Sequence, residues 1–236
     1  MLPSSPKIAT LRVIRTRKES PTCKSIYFKK PRGFSFLPGQ FVNIYLEING
    51  KTEIRSYTIS SAPEDREIRV TFRVKGDFTK ALFRTRKGGK IRALGPLGKF
   101  TFDRDRFQKK AVVFIAGGIG IAGFSSALRT IEKKGGLNSS LLLYSERDGE
   151  DFPLERELLS LKRTRTVLTF TKSPPKGWKG RVGRIDGKAL SLSLGKKDIS
   201  KAVFFVCGSD SFVTDIRKSL LLLGVGKKRI VSEGFG

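Results

Sequence analysis

The strongest constraint on this chain is a change of hydrophobic period near residue 107. Before it, apolar and polar residues alternate in short runs, at 8–18, 25–30, 41–47, 54–60, 68–75 and 90–100, separated by Pro, Gly and Asn turns. Alternation leaves each strand one buried and one wetted face, and short strands so spaced close into a barrel or a sandwich. Residues 77–86 are the exception: Phe78, Leu82 and Phe83 fall at helical spacing, with Asp77 as cap of the first turn. Beyond residue 107 the pattern differs. Residues 111–116 are apolar without interruption, a glycine turn runs from Gly117 to Gly123, and a helical pattern continues through Phe124, Leu128 and Ile131. Apolar runs at 141–144, 167–171 and 202–207 follow, with helical patterns at 154–161 and 212–223 and a last strand at 229–232. Strands buried on both faces and alternating with helices predict a parallel, doubly wound α/β sheet, whose ligand lies at the strands' carboxyl ends. The polar stretch 103–110 divides the two patterns, which predicts domains of residues 1–107 and 108–236.

Composition narrows the chemistry. With 48 Lys and Arg against 21 Asp and Glu, the net charge is +27, so an anionic partner has to be considered. The excess is spread, +15 over residues 1–107 and +12 over 108–236, without a basic arm, and nucleic acid is not the expected partner. Basic residues interleaved with apolar ones, as in 68–75, read as solvated faces of half-buried strands. The chain has no His, which removes Ser-His-Asp and Cys-His nucleophiles and the commonest metal ligand. Cys23 and Cys207 stand in opposite halves, so neither a disulfide framework nor a zinc or iron–sulfur site is expected. Chemistry on such a chain needs a cofactor. The stretch 1–6 lacks a charged region followed by an apolar run, and no apolar segment approaches the roughly 20 residues of a membrane span. The expected location is the cytoplasm.

Three stretches carry candidate chemistry. Arg55-Ser56-Tyr57-Thr58-Ile59-Ser60-Ser61 sets a fixed cation, an aromatic face and hydroxyls in one short run, a combination that suits a flavin. In a strand Arg55 and Tyr57 face one way and Ser56 and Thr58 the other, so one ligand reaches both sets only at a twisted strand end. By itself the run reads first as an ordinary strand with a polar outer face, since Arg, Tyr, Thr and Ser are common strand residues. The helix start near Asp77 offers free backbone N–H groups to a phosphate. Gly118-Ile119-Gly120 permits close backbone approach at a helix N-terminus, but it lacks the full Rossmann spacing, Gly123 arrives one residue early, and no P-loop Gly-Lys-Ser/Thr follows. Residues 95–98, Gly-Pro-Leu-Gly, read as a turn.

Taken in order, Phe36-Leu37-Pro38-Gly39-Gln40-Phe41, Arg55-Ser56-Tyr57-Thr58, Gly76-Asp77-Phe78-Thr79, Gly95-Pro96-Leu97-Gly98-Lys99-Phe100, Ala116-Gly117-Gly118-Ile119-Gly120-Ile121-Ala122, Cys207-Gly208 and Glu233-Gly234-Phe235 resemble the ferredoxin–NADP reductase-like flavoprotein family along essentially the whole chain. The resemblance implies an N-terminal antiparallel Greek-key β-barrel that binds FAD and a C-terminal α/β domain that binds NADP(H) or NAD(H). It implies that Arg55 pairs with the flavin pyrophosphate beside Ser56, that Tyr57 stacks on the isoalloxazine, and that Thr58 lies near flavin N5. Gly76, Asp77, Phe78 and Thr79 then form the helix start that holds the phosphates. Gly118, Ile119 and Gly120 lie under the nicotinamide nucleotide's pyrophosphate, Cys207 and Gly208 flank the nicotinamide, and Glu233 and Phe235 are an acidic and aromatic pair near the flavin. Two departures are Gly123, where the family commonly has Pro, which loosens the helix start, and the end at Gly236, short of any longer tail over the flavin.

The implied activity is hydride transfer between nicotinamide and flavin, with Thr58, Cys207 and Glu233 as the catalytic candidates and electrons passed to a separate carrier. Ferredoxin, flavodoxin or a rubredoxin-like protein fits as the acidic partner of so basic a chain. The same two domains also serve as reductase subunits of larger complexes or as free flavin or ferric reductases, and a non-enzymatic reading, a basic protein that kept the fold and lost the flavin, rests on the charge. For nucleotide choice, Lys172 and Arg181 suit a 2′-phosphate and point to NADPH, whereas Glu146 suits a free 2′-hydroxyl.

Overall fold

The computed structural model describes residues 3–235; the expectations that fall on Met1, Leu2 and Gly236 lie outside them. The first half forms β1 (Lys7–Lys18), β2 (Cys23–Lys29), β3 (Phe41–Ile48), β4 (Lys51–Thr58), β5 (Glu67–Arg73), α1 (Asp77–Arg84) and β6 (Lys90–Leu97). Its strands pair antiparallel in the order β4-β3-β6-β1-β2-β5. Strand β6 returns between β3 and β1, which is the Greek-key crossing. Just past β4 the sheet closes on β5, where Ile59 bridges Val70 and the Ser60 N–H donates to the Arg69 carbonyl at 2.7 Å. The period-two apolar residues, among them Val13, Ile26, Phe28, Val42, Ile44, Ile68 and Val70, meet in one core. The expected barrel is therefore the fold. At its rim Gly39 has φ +96°, and a Cβ there would lie 2.1 Å from the Phe100 carbonyl oxygen, so only Gly serves in this turn.

The second half forms β7 (Ala111–Gly117), α2 (Ile121–Lys134), β8 (Ser139–Asp148), α3 (Glu155–Leu159), β9 (Arg165–Ser173), β10 (Arg181–Val182), α4 (Gly187–Ser193), α5 (Lys196–Lys201), β11 (Val203–Ser209), α6 (Asp210–Leu222) and β12 (Ile230–Phe235). Its strands are all parallel, in the order β10-β9-β8-β7-β11-β12, with one apolar core on each face. This is the doubly wound sheet that the continuous apolar runs predict. Phe100, Phe102 and Phe107, which precede the expected division, pack in its core beside Phe114, Phe124 and Phe205.

The structure corrects three local expectations and adds three elements. Gly76, not Asp77, is the N-cap of α1; the Thr79 hydroxyl accepts from the Lys75 and Gly76 N–H groups at 2.8 and 3.0 Å. Residues 95–97 continue β6 rather than turning, because Gly95 lets the strand lie against Val42, where a Cβ would come within 2.8 Å. Strand β10 and helix α5 are short and bury no residue, and the short α4 buries only Ala189 and Leu190, so none of the three gives a periodic signal. Arg69 and Arg73 do not face solvent: that side of β5 docks on the second half, Arg69 on α2 and α3 and Arg73 on the end of β8, leaving Arg69 3% exposed and Arg73 partly buried. Among the described residues no helix is long and apolar enough to cross a membrane.

Candidate functional site

Barrel and parallel sheet meet around one cleft of about 550 Å³. Strand β4 supplies Glu53, Arg55, Ser56, Tyr57 and Thr58, so the twisted strand end does present both of its faces to one space. The segment after β5 and the first turn of α1 add Lys75, Gly76, Asp77, Phe78 and Thr79. From the other side come Ile119, Gly120, Cys207, Glu233 and Phe235. Gly118 and Gly208 adjoin Ile119 and Cys207 but do not line the cleft. Gly118 has φ +52°, the left-handed conformation that favours glycine.

The Tyr57 ring stacks on Phe78 at 6.1 Å and meets Phe72 edge-on at 5.7 Å, and burial pushes its hydroxyl pKa up. Tyr57 is thus a fixed neutral aromatic wall. Arg55 stays exposed at the mouth, where Nη2 pairs with Glu53 at 2.8 Å and the guanidinium lies over the Phe78 ring. Ser56 donates to Asn43 Oδ1 at 2.8 Å. An exposed cation, hydroxyls and the free N–H groups of α1 form a donor set for a phosphate, while flat aromatic walls suit a flat ring.

Opposite, the Gly118–Gly120 turn sits directly on β11. A Cβ on Gly120 would lie 2.6 Å from the Cys207 carbonyl oxygen, and one on Gly123 would lie 3.1 Å from Cys207 Sγ. Gly123 thus lets α2 pack close to Cys207. Burial pushes the Cys207 thiol up to about 12, with the Glu233 carboxylate adding to the shift, so the sulfur is a neutral wall rather than a thiolate. Burial also raises the Glu233 carboxyl above the usual range.

Lys172 and Arg181 are not in the cleft. Lys172 is exposed at the end of β9, and Arg181 lies on the edge strand β10, three strands from β7 or roughly 14 Å at ordinary strand spacing. Arg181 pairs with Asp186 at 3.6 Å. Glu146 is unavailable to a ribose: it is buried, accepts from Arg73 at 3.0 Å and from the Tyr144 hydroxyl at 2.7 Å, and caps the Arg147 N–H. Sequence reasoning missed Thr71, Phe72 and Arg73 as lining residues. The cue was the continuation of β5 toward Gly76, which brings Phe72 against Tyr57 from the core face and Thr71 and Arg73 to the cleft from the other face.

A barrel and a doubly wound sheet sharing one cleft are the architecture of a two-nucleotide oxidoreductase. Residues 10–102 match the model of the oxidoreductase FAD-binding domain, and residues 114–218 that of the oxidoreductase NAD-binding domain. The chain is 30% identical over 237 residues to ferredoxin–NADP reductase B of Sorangium cellulosum, covering 95% of this chain and 96% of that protein. It is 27% identical over 209 residues to NADH-cytochrome b5 reductase 1 of Cryptococcus neoformans var. neoformans, covering 83% of this chain and 70% of that one. Its fold overlays the FAD/NAD-binding domain of nitric oxide dioxygenase from Vibrio cholerae with TM-score 0.85 at 24% identity, over 96% of this chain and 98% of that one. The chain belongs to the FAD- and NAD-binding reductase family that includes ferredoxin–NADP reductases and cytochrome b5 reductases, and it is an NAD(P)H-dependent flavoprotein reductase.

Proposed function

We propose that this reductase takes electrons from NADPH and passes them through FAD to a separate acidic carrier protein of the ferredoxin or flavodoxin kind. The observation that carries the reading is the convergence of Arg55 to Thr58, Gly76 to Thr79, Ile119-Gly120 and Cys207 on one cleft. Its volume, about 550 Å³, lies within the usual range for ligand sites, and its donors fit a flavin dinucleotide. When bound, the flavin and the nicotinamide supply the hydride chemistry themselves. The chain's residues position and shield. Arg55 would leave Glu53 to pair with the pyrophosphate, assisted by Ser56 and by the N–H groups of Asp77, Phe78 and Thr79 in the turn that Gly76 caps. Tyr57 would cover the flat ring, Phe235 would lie beside it, and the Thr58 hydroxyl could bond a ring nitrogen. Gly118, Ile119 and Gly120 hold the second pyrophosphate at the start of α2, and Cys207 and Gly208 form the wall beside the nicotinamide. Glu233, whose carboxyl burial raises, would keep its proton to higher pH than a solvated carboxyl does, beside the rings.

Two finer features belong to the same reading. Lys172 and Arg181 serve the 2′-phosphate at the far edge of the sheet, and the commitment of Glu146 to Arg73 removes the acceptor that would favour a free 2′-hydroxyl. The net charge of +27 favours an acidic protein as electron acceptor, in a salt-dependent encounter. The chain divides functionally into residues 1–107 for FAD and 108–236 for the nicotinamide nucleotide. The test is an absorbance spectrum of the purified protein, followed by anaerobic addition of NADPH and, separately, NADH. A flavin band that bleaches faster with NADPH is expected; a protein that stays colourless after incubation with FAD sinks the reading.

A further inference from the structure

Strand β2 carries a charge where its pattern calls for an apolar residue. Ile26 and Phe28 point into the barrel core, and Lys24 precedes them on the same face and pairs across the sheet with Phe72 of that core. It is buried there, at 9% exposed. An ammonium out of water is costly without a counter-ion, and the charged group that bears on Lys24 is another cation, Arg86. Burial first, and Arg86 second, lower the Lys24 pKa. Core packing alone therefore does not explain a lysine at this position.

Its ammonium meets the end of a helix. Nζ donates to the carbonyl oxygens of Phe83 at 2.6 Å and of Thr85 at 2.8 Å, at the C-terminal end of α1, and lies 5.2 Å from the centroid of the Phe83 ring. The last carbonyls of a helix have no partner within it, and a cation there also complements the negative end of the dipole. Helix α1 has 8 residues, too few to hold itself in water, so its anchors decide whether it stays formed. Phe78 and Leu82 anchor its buried side, and Lys24 anchors its end. Gly76, Asp77, Phe78 and Thr79, at the opposite end, line the cleft. Lys24 does not line it and sits roughly 12 Å from that first turn, at 1.5 Å per residue of helix, so it acts on the cleft only through α1.

We infer that Lys24 is a positioning residue for the flavin pyrophosphate: its hold on the last turn of α1 keeps the N–H groups of the first turn formed and aimed into the cleft. The inference rests on the reading of the site proposed above, in which those groups hold the phosphates. The experiment compares FAD-loaded wild type, Lys24→Met, which keeps the apolar stem without the ammonium, and Lys24→Arg, which keeps a cationic donor. Two quantities are read: amide hydrogen exchange along the chain, and FAD affinity from the fluorescence of flavin released on dilution. In Lys24→Met the amides of residues 80–84 should exchange about tenfold faster with those of the strands unchanged, and FAD should bind about tenfold more weakly, as expected for loss of a charge-assisted hydrogen bond at a helix end. Lys24→Arg should fall between wild type and Lys24→Met in both. Unchanged FAD affinity overturns the inference, and so does a lost affinity with unchanged exchange at 80–84, since Lys24 would then not act through α1. Faster exchange throughout the barrel, or a Lys24→Met protein that does not fold, would make Lys24 a support of the whole core and overturns it too. Each of these leaves the proposed function standing, whereas a wild type that takes up no FAD overturns the underlying reading.

Discussion

Replacing Arg69 by Met tests what joins the two halves. Arg69, on barrel strand β5, donates to Glu157 of α3 through Nη1 at 2.8 Å and Nη2 at 3.1 Å, to the Ser60 carbonyl at 2.6 Å, and to Ser125 of α2. Burial alone would raise the Glu157 carboxyl, but the Arg69 and Arg129 guanidinia and the Ser125 hydroxyl hold it below the usual carboxylate range. Removing one partner of a buried ion pair costs roughly 3–5 kcal/mol. Glu157 would keep Arg129 at 3.2 Å and Ser125 at 2.7 Å. The low end of that range, about 3 kcal/mol, is therefore expected at pH 7. The double variant Arg69→Met, Glu157→Leu removes both charges and should return to within about 1 kcal/mol of wild type. Urea unfolding followed by the single Trp178, which packs on Phe170 in the second sheet, reads the difference. The sign of the pH dependence follows from the lowered Glu157 carboxyl. Its stabilisation is complete above the unfolded carboxylate pKa of about 4.3 and is lost as pH falls through the lower folded value, so the gap between wild type and Arg69→Met should shrink below about pH 4. A gap that stays constant down to pH 3, or a double variant as unstable as the single, would refute the argument.

Gly120→Ala keeps an ordinary helical backbone, φ −57°, yet sets a methyl 2.6 Å from the Cys207 carbonyl oxygen; a loss of roughly 1–3 kcal/mol is expected in urea unfolding, with weakened NADP+ binding. Gly187→Ala, whose added Cβ comes no nearer than 3.7 Å to Ser219, should instead leave stability equal or raised by up to about 1 kcal/mol in the same assay. The Cys207 thiol, raised to about 12 by burial, should stay unmodified by an aromatic disulfide reagent at pH 8 until the protein is unfolded. Lys172→Glu should raise the apparent KM for NADPH more than that for NADH, and equal effects would remove Lys172 from the 2′-phosphate site.

Much of this molecule is legible in its sequence, because a strand's face and a helix's stripe are local properties. Alternation before residue 107 and continuous apolar runs after it set the two sheets, and the Arg55 to Thr58 run and the Gly117 to Gly123 turn mark the two walls of the cleft. The same locality explains the failures. Alternation shows that Arg69 and Arg73 leave the barrel core but not what they meet, and both meet the second half rather than water. Glu146, plausible beside a ribose by its place after a strand, lies 73 residues from Arg73 in the chain and is taken by it in the fold; Glu157 lies 88 from Arg69. Such pairs form only when the sheets dock, and no period or motif encodes them. The docked structure alone reveals which buried charges neutralise which, how the strands are ordered in each sheet, and that Phe212 closes over Gly117 and Gly208. All three depend on contacts between elements that the chain brings together from far apart, whereas local pattern suffices for most of the elements and for the two sheet classes.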